Sequence, residues 1–102
     1  MAYEIVWSKA ADDSLNSILD YLYEVAGVDK AAEFVDLVYR KTSLLINNPY
    51  LRVASGMDKQ IRRLRLTRNY CFYYRVYPEK QMILLLQIID TRQNPGANPY
   101  ES

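Results

Sequence analysis

Residues 61–77, IRRLRLTRNYCFYYRVY, hold two alternating segments separated by a short polar pair, Arg68-Asn69. Leucine alternates with arginine or threonine in residues 61–67, and apolar or aromatic side chains alternate along residues 70–77. A period of two residues is typical of a β-strand whose two faces meet different surroundings. Arg68-Asn69 has suitable chemistry for a tight turn. The stretch therefore predicts a β-hairpin with one face in the core and the other exposed.

The predicted exposed face gathers cations and aromatic rings. Alternation places Arg63, Arg65, Tyr73 and Arg75 on it, and we predict a binding surface that includes Arg62, Tyr73 and Arg75. Arginine pairs well with phosphate and carboxylate, and tyrosine can stack on a base or fill a protein pocket. A nucleic acid and an acidic protein partner both fit this pattern. A solvated face whose charges deter strand-to-strand aggregation is the simpler alternative.

The segment before the hairpin predicts one strand and two helices. Residues 3–7, YEIVW, alternate as a short strand does. Ser8 is suited to cap a first helix, and Gly27 to end it. Asp29 is suited to cap a second helix, which ends near residues 47–49, Asn-Asn-Pro. About three residues would then join the helices, so we expect an antiparallel helical hairpin.

The remaining segments complete the predicted order β-α-α-β-β-β. Residues 50–60 have no clear period and predict a loop, and Pro78-Glu79-Lys80 predicts a turn. Residues 82–89, MILLLQII, are apolar nearly throughout, as in a central strand covered on both faces. We predict an α+β fold, with the helical hairpin packed on a largely antiparallel, twisted sheet. Residues 3–92 would form a single domain, and residues 93–102 an irregular C-terminal tail.

Composition and charge limit the class of protein. A chain of 102 residues predicts one domain, which can bury roughly 65% of the surface of the unfolded chain. Residues 1–50 hold four Lys/Arg against eight Asp/Glu, whereas residues 51–92 hold nine against three. The basic second half is therefore expected to meet an anionic partner. No apolar run approaches the ~18 residues of a membrane span, and residues 1–10 do not resemble a secretory signal, so we expect a cytoplasmic protein without a membrane partner.

Several kinds of catalytic site are disfavoured by the residue types present. The chain has no histidine and one cysteine, and its three glycines lie far apart. A metal site would have carboxylate side chains alone, and a glycine-rich phosphate loop is absent. We therefore expect neither a metal nor a small-molecule cofactor. Without a histidine to activate it, Cys71 is expected to be a small packed residue.

The order of short motifs along the chain is similar to that of one family. A first helix with the pattern A-x-x-x-L-x-x-I is followed by a helix running to Asn-Pro, an R-x-L strand, a Y-x-x-x-Y-x-V strand and an apolar strand before an arginine. The residues that carry these motifs are Ala11, Leu15, Ile18, Asn48, Pro49, Arg62 or Arg63, Leu64, Tyr70, Tyr74, Val76 and the run Asp90 to Pro95. Together they resemble the RelE/ParE toxin superfamily of bacterial type II toxin–antitoxin systems, over roughly residues 3–92.

The resemblance implies a toxin that a cognate antitoxin silences. RelE-like members cut messenger RNA on the ribosome without a metal, whereas ParE-like members poison DNA gyrase and are not nucleases. For RNA cleavage a site must activate a 2′-hydroxyl, stabilise extra negative charge and protonate the leaving oxygen. The two subfamilies therefore require different chemistry from one scaffold.

Carried over residue by residue, the RelE-like pattern points to four positions. Arg63 and Arg65 match its basic pair, Arg92 matches the arginine after the last strand, and Tyr100 stands near the place of a late tyrosine. Cys71 occupies the position of a further catalytic arginine. This departure favours a ParE-like gyrase inhibitor. A ribosome-dependent endoribonuclease that uses Arg63, Arg65 and Arg92 is the alternative, and a degenerate protein-binding scaffold is a third.

Overall fold

A computed structural model of the chain describes residues 2–50, 60–92 and 98–100. A short strand precedes two helices, and three further strands follow them. The elements are β1 (Glu4–Trp7), α1 (Lys9–Ala26), α2 (Val28–Ser43), β2 (Ile61–Arg65), β3 (Tyr70–Tyr77) and β4 (Met82–Asp90). The predicted order and the α+β class are confirmed. Most of the loop predicted over residues 50–60 lies outside the described residues.

The four strands form one mixed sheet in the order β1-β4-β3-β2. β2 pairs antiparallel with β3 and β3 antiparallel with β4, whereas β1 runs parallel to β4. The apolar strand β4 is therefore central, as its composition predicts. β2 ends at Arg65, two residues earlier than alternation alone predicts. Among the described strands, β1 and β2 are the two edges of the sheet.

Ser8 begins α1 as predicted, because its Oγ accepts a hydrogen bond from the Ala11 N–H at 3.0 Å. Gly27 ends this helix as predicted, and its N–H donates to the carbonyls of Leu22 and Tyr23. The prediction that Asp29 caps α2 is wrong. Gly27 itself is the N-cap, with φ 92° and ψ 174°, so a single residue joins the helices. Such torsions are almost confined to glycine, which explains the sharp reversal.

The main core lies between the helical hairpin and one face of the sheet. Tyr74, Phe72, Leu64 and Val38 are among its fully buried side chains. The hydroxyl of Tyr74 donates to the Pro49 carbonyl at 3.0 Å, so its one polar atom is satisfied in the core. The ring of Phe34 meets that of Tyr70 edge-on, with centroids 5.5 Å apart.

Two serines of the first helical segment bind the stretch of β4 that extends beyond β1. The Ser8 hydroxyl donates to the Leu86 carbonyl at 2.8 Å, and the Ser14 Oγ accepts from the Ile88 N–H at 3.0 Å. These bonds replace the ladder partners that a longer β1 would supply. They fix α1 against β4.

A β-bulge in β4 shifts the alternation of its side chains. Tyr73 lies opposite Gln87 and Tyr74 opposite Leu85, which leaves Leu86 as the extra residue. Leu86 and Gln87 consequently both lie on the face away from the helices. The side chains of β3 therefore alternate regularly, whereas those of the paired strand β4 change their alternation opposite Tyr73.

Candidate functional site

The face of the sheet opposite the helices is called the open face below. The ladder places Arg63 opposite Tyr73, and Arg65 opposite Cys71. β4 adds Gln87 opposite Tyr73. Among the described residues the open face comprises Glu4, Val6, Ile61, Arg63, Arg65, Cys71, Tyr73, Arg75, Tyr77, Met82, Leu84, Leu86, Gln87 and Ile89. Three arginines on β2 and β3 thus border a strip of apolar and aromatic side chains.

Tyr73 is buried on the open face, which contradicts the prediction that it is exposed. Its side chain is 2% exposed because Tyr100 stacks on it, with ring centroids 4.9 Å apart and an interplanar angle of 20°. The Asn98 side-chain amide donates to the Tyr73 hydroxyl at 3.2 Å. The segment Asn98–Tyr100 thus lies across the sheet and shields its centre.

Tyr100 is held as a hydrogen-bond donor. Its hydroxyl donates to Gln87 Oε1 at 2.9 Å, and its N–H donates to Asn98 Oδ1 at 2.9 Å. Burial raises the pKa of the Tyr100 phenol above its usual value of 10.0. The phenol is therefore protonated at neutral pH and is poorly suited to take a proton from a substrate.

Cys71 is 1% exposed and packs with Tyr73 and Ile89 on the open face. Its burial agrees with the expectation of a small packed residue. The position that a RelE-like pattern fills with a catalytic arginine is therefore part of an apolar cluster. A longer, charged side chain would have to leave that cluster to reach solvent.

Arg65 stabilises the β2–β3 turn. Its Nη1 donates to the carbonyls of Arg68 at 3.0 Å and Thr67 at 3.4 Å. Lys41, near the end of α2, donates through Nζ to the Arg65 carbonyl at 2.9 Å. One predicted site residue thus also has a structural role.

A second cation–aromatic group lies at the opposite end of β3. The guanidinium of Arg75 is 5.4 Å from the Tyr77 ring centroid, and the Lys80 ammonium is 5.8 Å from it. Attraction of cations to the face of an aromatic ring holds such groups together. The basic character of the open face therefore extends along β3.

The structure separates Arg62 from the open face. Arg62 lies opposite Tyr74, whose side chain belongs to the main core, and its guanidinium is 4.7 Å from the Tyr50 ring centroid. The predicted binding surface of Arg62, Tyr73 and Arg75 is therefore not one surface. Alternation along β2 accounts for this, since neighbouring residues point to opposite faces.

Arg92 is also held apart from Arg63 and Arg65. Its Nε donates to Asp90 Oδ1 at 3.0 Å and its Nη2 to Asp90 Oδ2 at 2.8 Å. Its guanidinium lies 5.9 Å from the ring centroid of Tyr70, a residue of the main core. The three arginines of the predicted catalytic cluster therefore do not converge.

The ion pair sets the protonation of the groups around it. The hydrogen bond from Arg92 lowers the pKa of the Asp90 carboxyl below 3.8, and the carboxylate in turn raises the pKa of Arg92. Burial, and then the charge of Asp90, raise the pKa of Tyr70 above 10.0. At neutral pH the Asp90 carboxylate is bound to Arg92 and the Tyr70 phenol is protonated, so neither group is suited to act as a general base.

Two cavities flank Tyr70 on the helical side of the sheet. One, of about 260 Å³, lies between α1 and β4 and includes Ser14, Tyr21 and Asp90. The other, of about 380 Å³, lies between the helical hairpin and the β2–β3 turn and includes Leu22 and Phe34. Both are separate from the open face.

Residues 2–50, 60–92 and 98–100 contain neither a metal-binding cluster nor a membrane-spanning helix. Within those ranges no three His, Cys, Asp or Glu side chains come together as a metal site would require. No described helix is long and apolar enough to cross a membrane. The chemistry of the open face is thus that of arginine, tyrosine and amide groups.

Sequence reasoning missed Gln87 and Asn98 as members of the site. Gln87 stands within an apolar run, and the bulge at Leu86 is what brings its amide to the Tyr100 hydroxyl. A polar residue inside MILLLQII was an available signal, because a buried amide requires a hydrogen-bond partner. Asn98 lies in the segment predicted to be irregular and carried no comparable signal.

The sequence profile of the ParE toxin of the type II toxin–antitoxin system parDE matches residues 5–95. The chain belongs to the ParE toxin family. The match spans both helices and all of β2, β3 and β4, so it includes the open face. Curated protein sequences gave no match.

Solved structures of toxins share the fold of this ParE-family chain. A chain of the chromosomal ParDE system from P. aeruginosa is 21% identical with a TM-score of 0.73, covering 86% of this chain and 95% of its own. The isolated RelE toxin of E. coli is 14% identical with a TM-score of 0.63, covering 91% and 88%. A chain of the RelE–RelB complex of Pyrococcus horikoshii is 18% identical with a TM-score of 0.63, covering 92% and 100%. At these identities the likeness concerns the fold.

Proposed function

We propose that this ParE-family toxin inhibits DNA gyrase by binding, without chemistry of its own, and that a cognate antitoxin neutralises it. The family match supports the toxin role. We choose gyrase as the target because the site resembles that of ParE-like gyrase inhibitors more than that of RelE-like nucleases. The arrangement of the arginines is the observation that carries this choice.

Metal-independent RNA cleavage needs cations that converge on one phosphate and a group that accepts a proton. Arg92 is engaged by Asp90 and lies against Tyr70, away from the face that bears Arg63 and Arg65. Cys71 is buried where a further arginine would be required. Tyr100 is protonated and donates to Gln87. These features favour a binding surface over a nuclease site.

A ribosome-dependent endoribonuclease is the second candidate. Its support is the grouping of Arg63, Arg65 and Arg75 around Tyr73, a cationic surface next to stacked aromatic rings. Arginine with an aromatic platform suits single-stranded RNA as well as protein. A protein-binding scaffold without toxicity would use the same surface.

Purified chain added to a gyrase supercoiling assay decides between these functions. We expect supercoiling to be blocked, while primer extension after induction in cells shows intact messages. Cuts within translated messages, slowed more than tenfold by Arg65→Ala, would instead establish the nuclease, because charge stabilisation worth more than about 1.4 kcal/mol would be lost from the transition state. Normal supercoiling with intact messages would leave the protein-binding scaffold.

The antitoxin is proposed to cover the open face with an acidic segment. Solved relatives include the RelB–RelE complexes of E. coli and Pyrococcus horikoshii. We expect a chain with Arg63→Glu and Arg65→Glu to bind the product of the neighbouring gene at least tenfold more weakly. Arg40→Glu, a charge reversal at an exposed site on α2, is the control and should not change the affinity. Equal weakening by the control would show a general effect of net charge.

A further inference from the structure

The centre of the open face is an apolar socket filled by the chain's own C-terminal segment. The socket consists of Cys71, Tyr73, Leu86 and Ile89, and the strap is Asn98–Tyr100. Tyr73 and Cys71 are 2% and 1% exposed with the strap in place. The strap thus hides an aromatic and apolar surface in the middle of a basic face.

Side chains hold the strap on the sheet. The Tyr100 ring stacks on Tyr73, the Tyr100 hydroxyl donates to Gln87, and the Asn98 amide donates to the Tyr73 hydroxyl. Among the described residues, no backbone hydrogen bond joins the strap to a strand. Since a segment held by side chains lacks the backbone ladder of the sheet beneath it, we expect the strap to open at a lower free energy than the sheet.

Arginines border the socket on two sides. Arg63 lies directly across the ladder from Tyr73, at about 5 Å between Cβ atoms, and Arg65 occupies the diagonal position at about 7–8 Å. Arg75 follows Tyr73 by two residues on the same face, about 7 Å along the strand. A ligand whose ring entered the socket would therefore place its neighbouring residues beside two or three guanidinium groups.

The strap's own sequence has this chemistry. Tyr100 is followed by Glu101, so the ring in the socket belongs to an acidic segment, NPYES. From this order of residues, and from the arginines beside the socket, we expect the surface to fit an aromatic side chain next to a carboxylate. The apolar socket selects the ring, and the arginines select the charge.

We propose that Tyr100 acts as an internal ligand of the socket, and that an acidic segment of the antitoxin places an aromatic side chain there in its stead. The proposal rests on the proposed function, because it gives the antitoxin a defined contact. It also reassigns Tyr100, the position that the RelE-like resemblance points to as catalytic, to competition for a binding site. When an internal segment occupies the socket, an external ligand can bind only during the fraction of time that the socket is open. The apparent association constant of the external ligand is reduced to that fraction of its intrinsic value.

Cys71 is a built-in reporter of strap opening, because it is the sole cysteine of the chain and lies in the socket. In the folded full-length protein, Tyr100→Ala should raise the rate at which a disulfide reagent labels Cys71 at least tenfold. Tyr23→Ala, which removes an exposed tyrosine of α1, is the control and should leave the rate unchanged. Tyr100→Phe keeps the stack but loses the hydrogen bond to Gln87, so it should label at an intermediate rate.

A peptide supplied in trans tests the ligand. Acetylated NPYES, residues 98–102, should slow the labelling of the Tyr100→Ala chain at millimolar concentration, and the same peptide with alanine for tyrosine should not. Adding Arg63→Glu to the Tyr100→Ala chain should weaken the peptide's effect at least tenfold. If Tyr100→Ala and Tyr100→Phe both label at the wild-type rate, or if the two peptides act alike, the socket is not a ligand site.

The antitoxin itself separates this proposal from the proposed function. The product of the neighbouring gene should bind the Tyr100→Ala chain about tenfold more tightly than wild type, because the internal competitor is gone. Tyr23→Ala should match wild type. Equal or weaker binding to the Tyr100→Ala chain would overturn the socket proposal while leaving the toxin–antitoxin pairing intact. Failure of the antitoxin to bind any of the three chains would instead overturn the proposed function.

Discussion

Replacing Ser14 by alanine tests how α1 holds the central strand. The Ser14 Oγ accepts the Ile88 N–H at 3.0 Å and donates to the Ala11 carbonyl at 2.9 Å. Without the serine hydroxyl, the partly buried Ile88 N–H loses its hydrogen-bond acceptor. β1 cannot supply another, because its pairing with β4 ends at Leu85. An unsatisfied backbone donor of this kind costs about 1–3 kcal/mol.

The alanine itself offsets part of this cost, since it favours the helix by roughly 0.5 kcal/mol over serine. The net loss in the free energy of unfolding is then about 1–2 kcal/mol. For a domain of this size that lowers the thermal midpoint by about 5–15 °C. Differential scanning calorimetry measures the midpoint directly.

Ser17→Ala is the matched control, because Ser17 is an exposed serine one turn further along α1. It gains the same helix propensity, so its midpoint should stay within a few degrees of wild type. Equal midpoints for Ser14→Ala and Ser17→Ala would refute the reasoning. The tie between α1 and β4 would then have no measurable role in stability.

Three further predictions concern single residues. Gly27→Ala should lower the free energy of unfolding in urea by about 1–3 kcal/mol. The cause is backbone strain at a positive φ alone, because an added Cβ meets no atom within 4 Å. An unchanged unfolding midpoint would contradict this argument. Because the folded pKa of Asp90 is lowered below 3.8, its contribution to stability is fully present above about pH 4 and is lost as the pH falls through the folded value. Asp90→Asn should therefore flatten the acid limb of the stability curve relative to wild type, and identical limbs would show that the pair with Arg92 adds nothing. Because the pKa of Tyr100 is raised above 10.0, Tyr100→Phe should remove one phenol from the late-ionising part of a spectroscopic titration, to which Tyr70 also contributes, and an identical titration in the variant would contradict the burial of Tyr100.

Alternation and capping chemistry were sufficient to predict the elements and their order. Ser8 and Gly27 mark the ends of α1 because their local chemistry determines the conformation there. The cap of α2 was wrongly assigned to Asp29, because a carboxylate stabilises a helix from its first turn as well as from the cap position. Gly27 alone makes the turn, and its unusual torsions are invisible to a spacing argument.

The candidate site was predicted less well, because it depends on contacts between distant segments. Alternation put Tyr73 on the correct face, yet its burial requires a ring from Tyr100, 27 positions later in the chain. The position of Gln87 depends on a bulge at Leu86, which no local pattern encodes. Arg92 matches a family motif, but its neighbour Asp90 determines where the guanidinium lies.

The parallel pairing of β1 with β4 has a consequence for synthesis of the chain. Glu4–Trp7 pair with Met82–Leu85, so the first strand waits for about 75 further residues before its partner exists. At about 5–20 residues per second this takes roughly 4–15 s. During that interval the nascent chain has neither a complete sheet nor the β4 half of the socket. The open face is therefore completed late in translation, only after β4 has been synthesised.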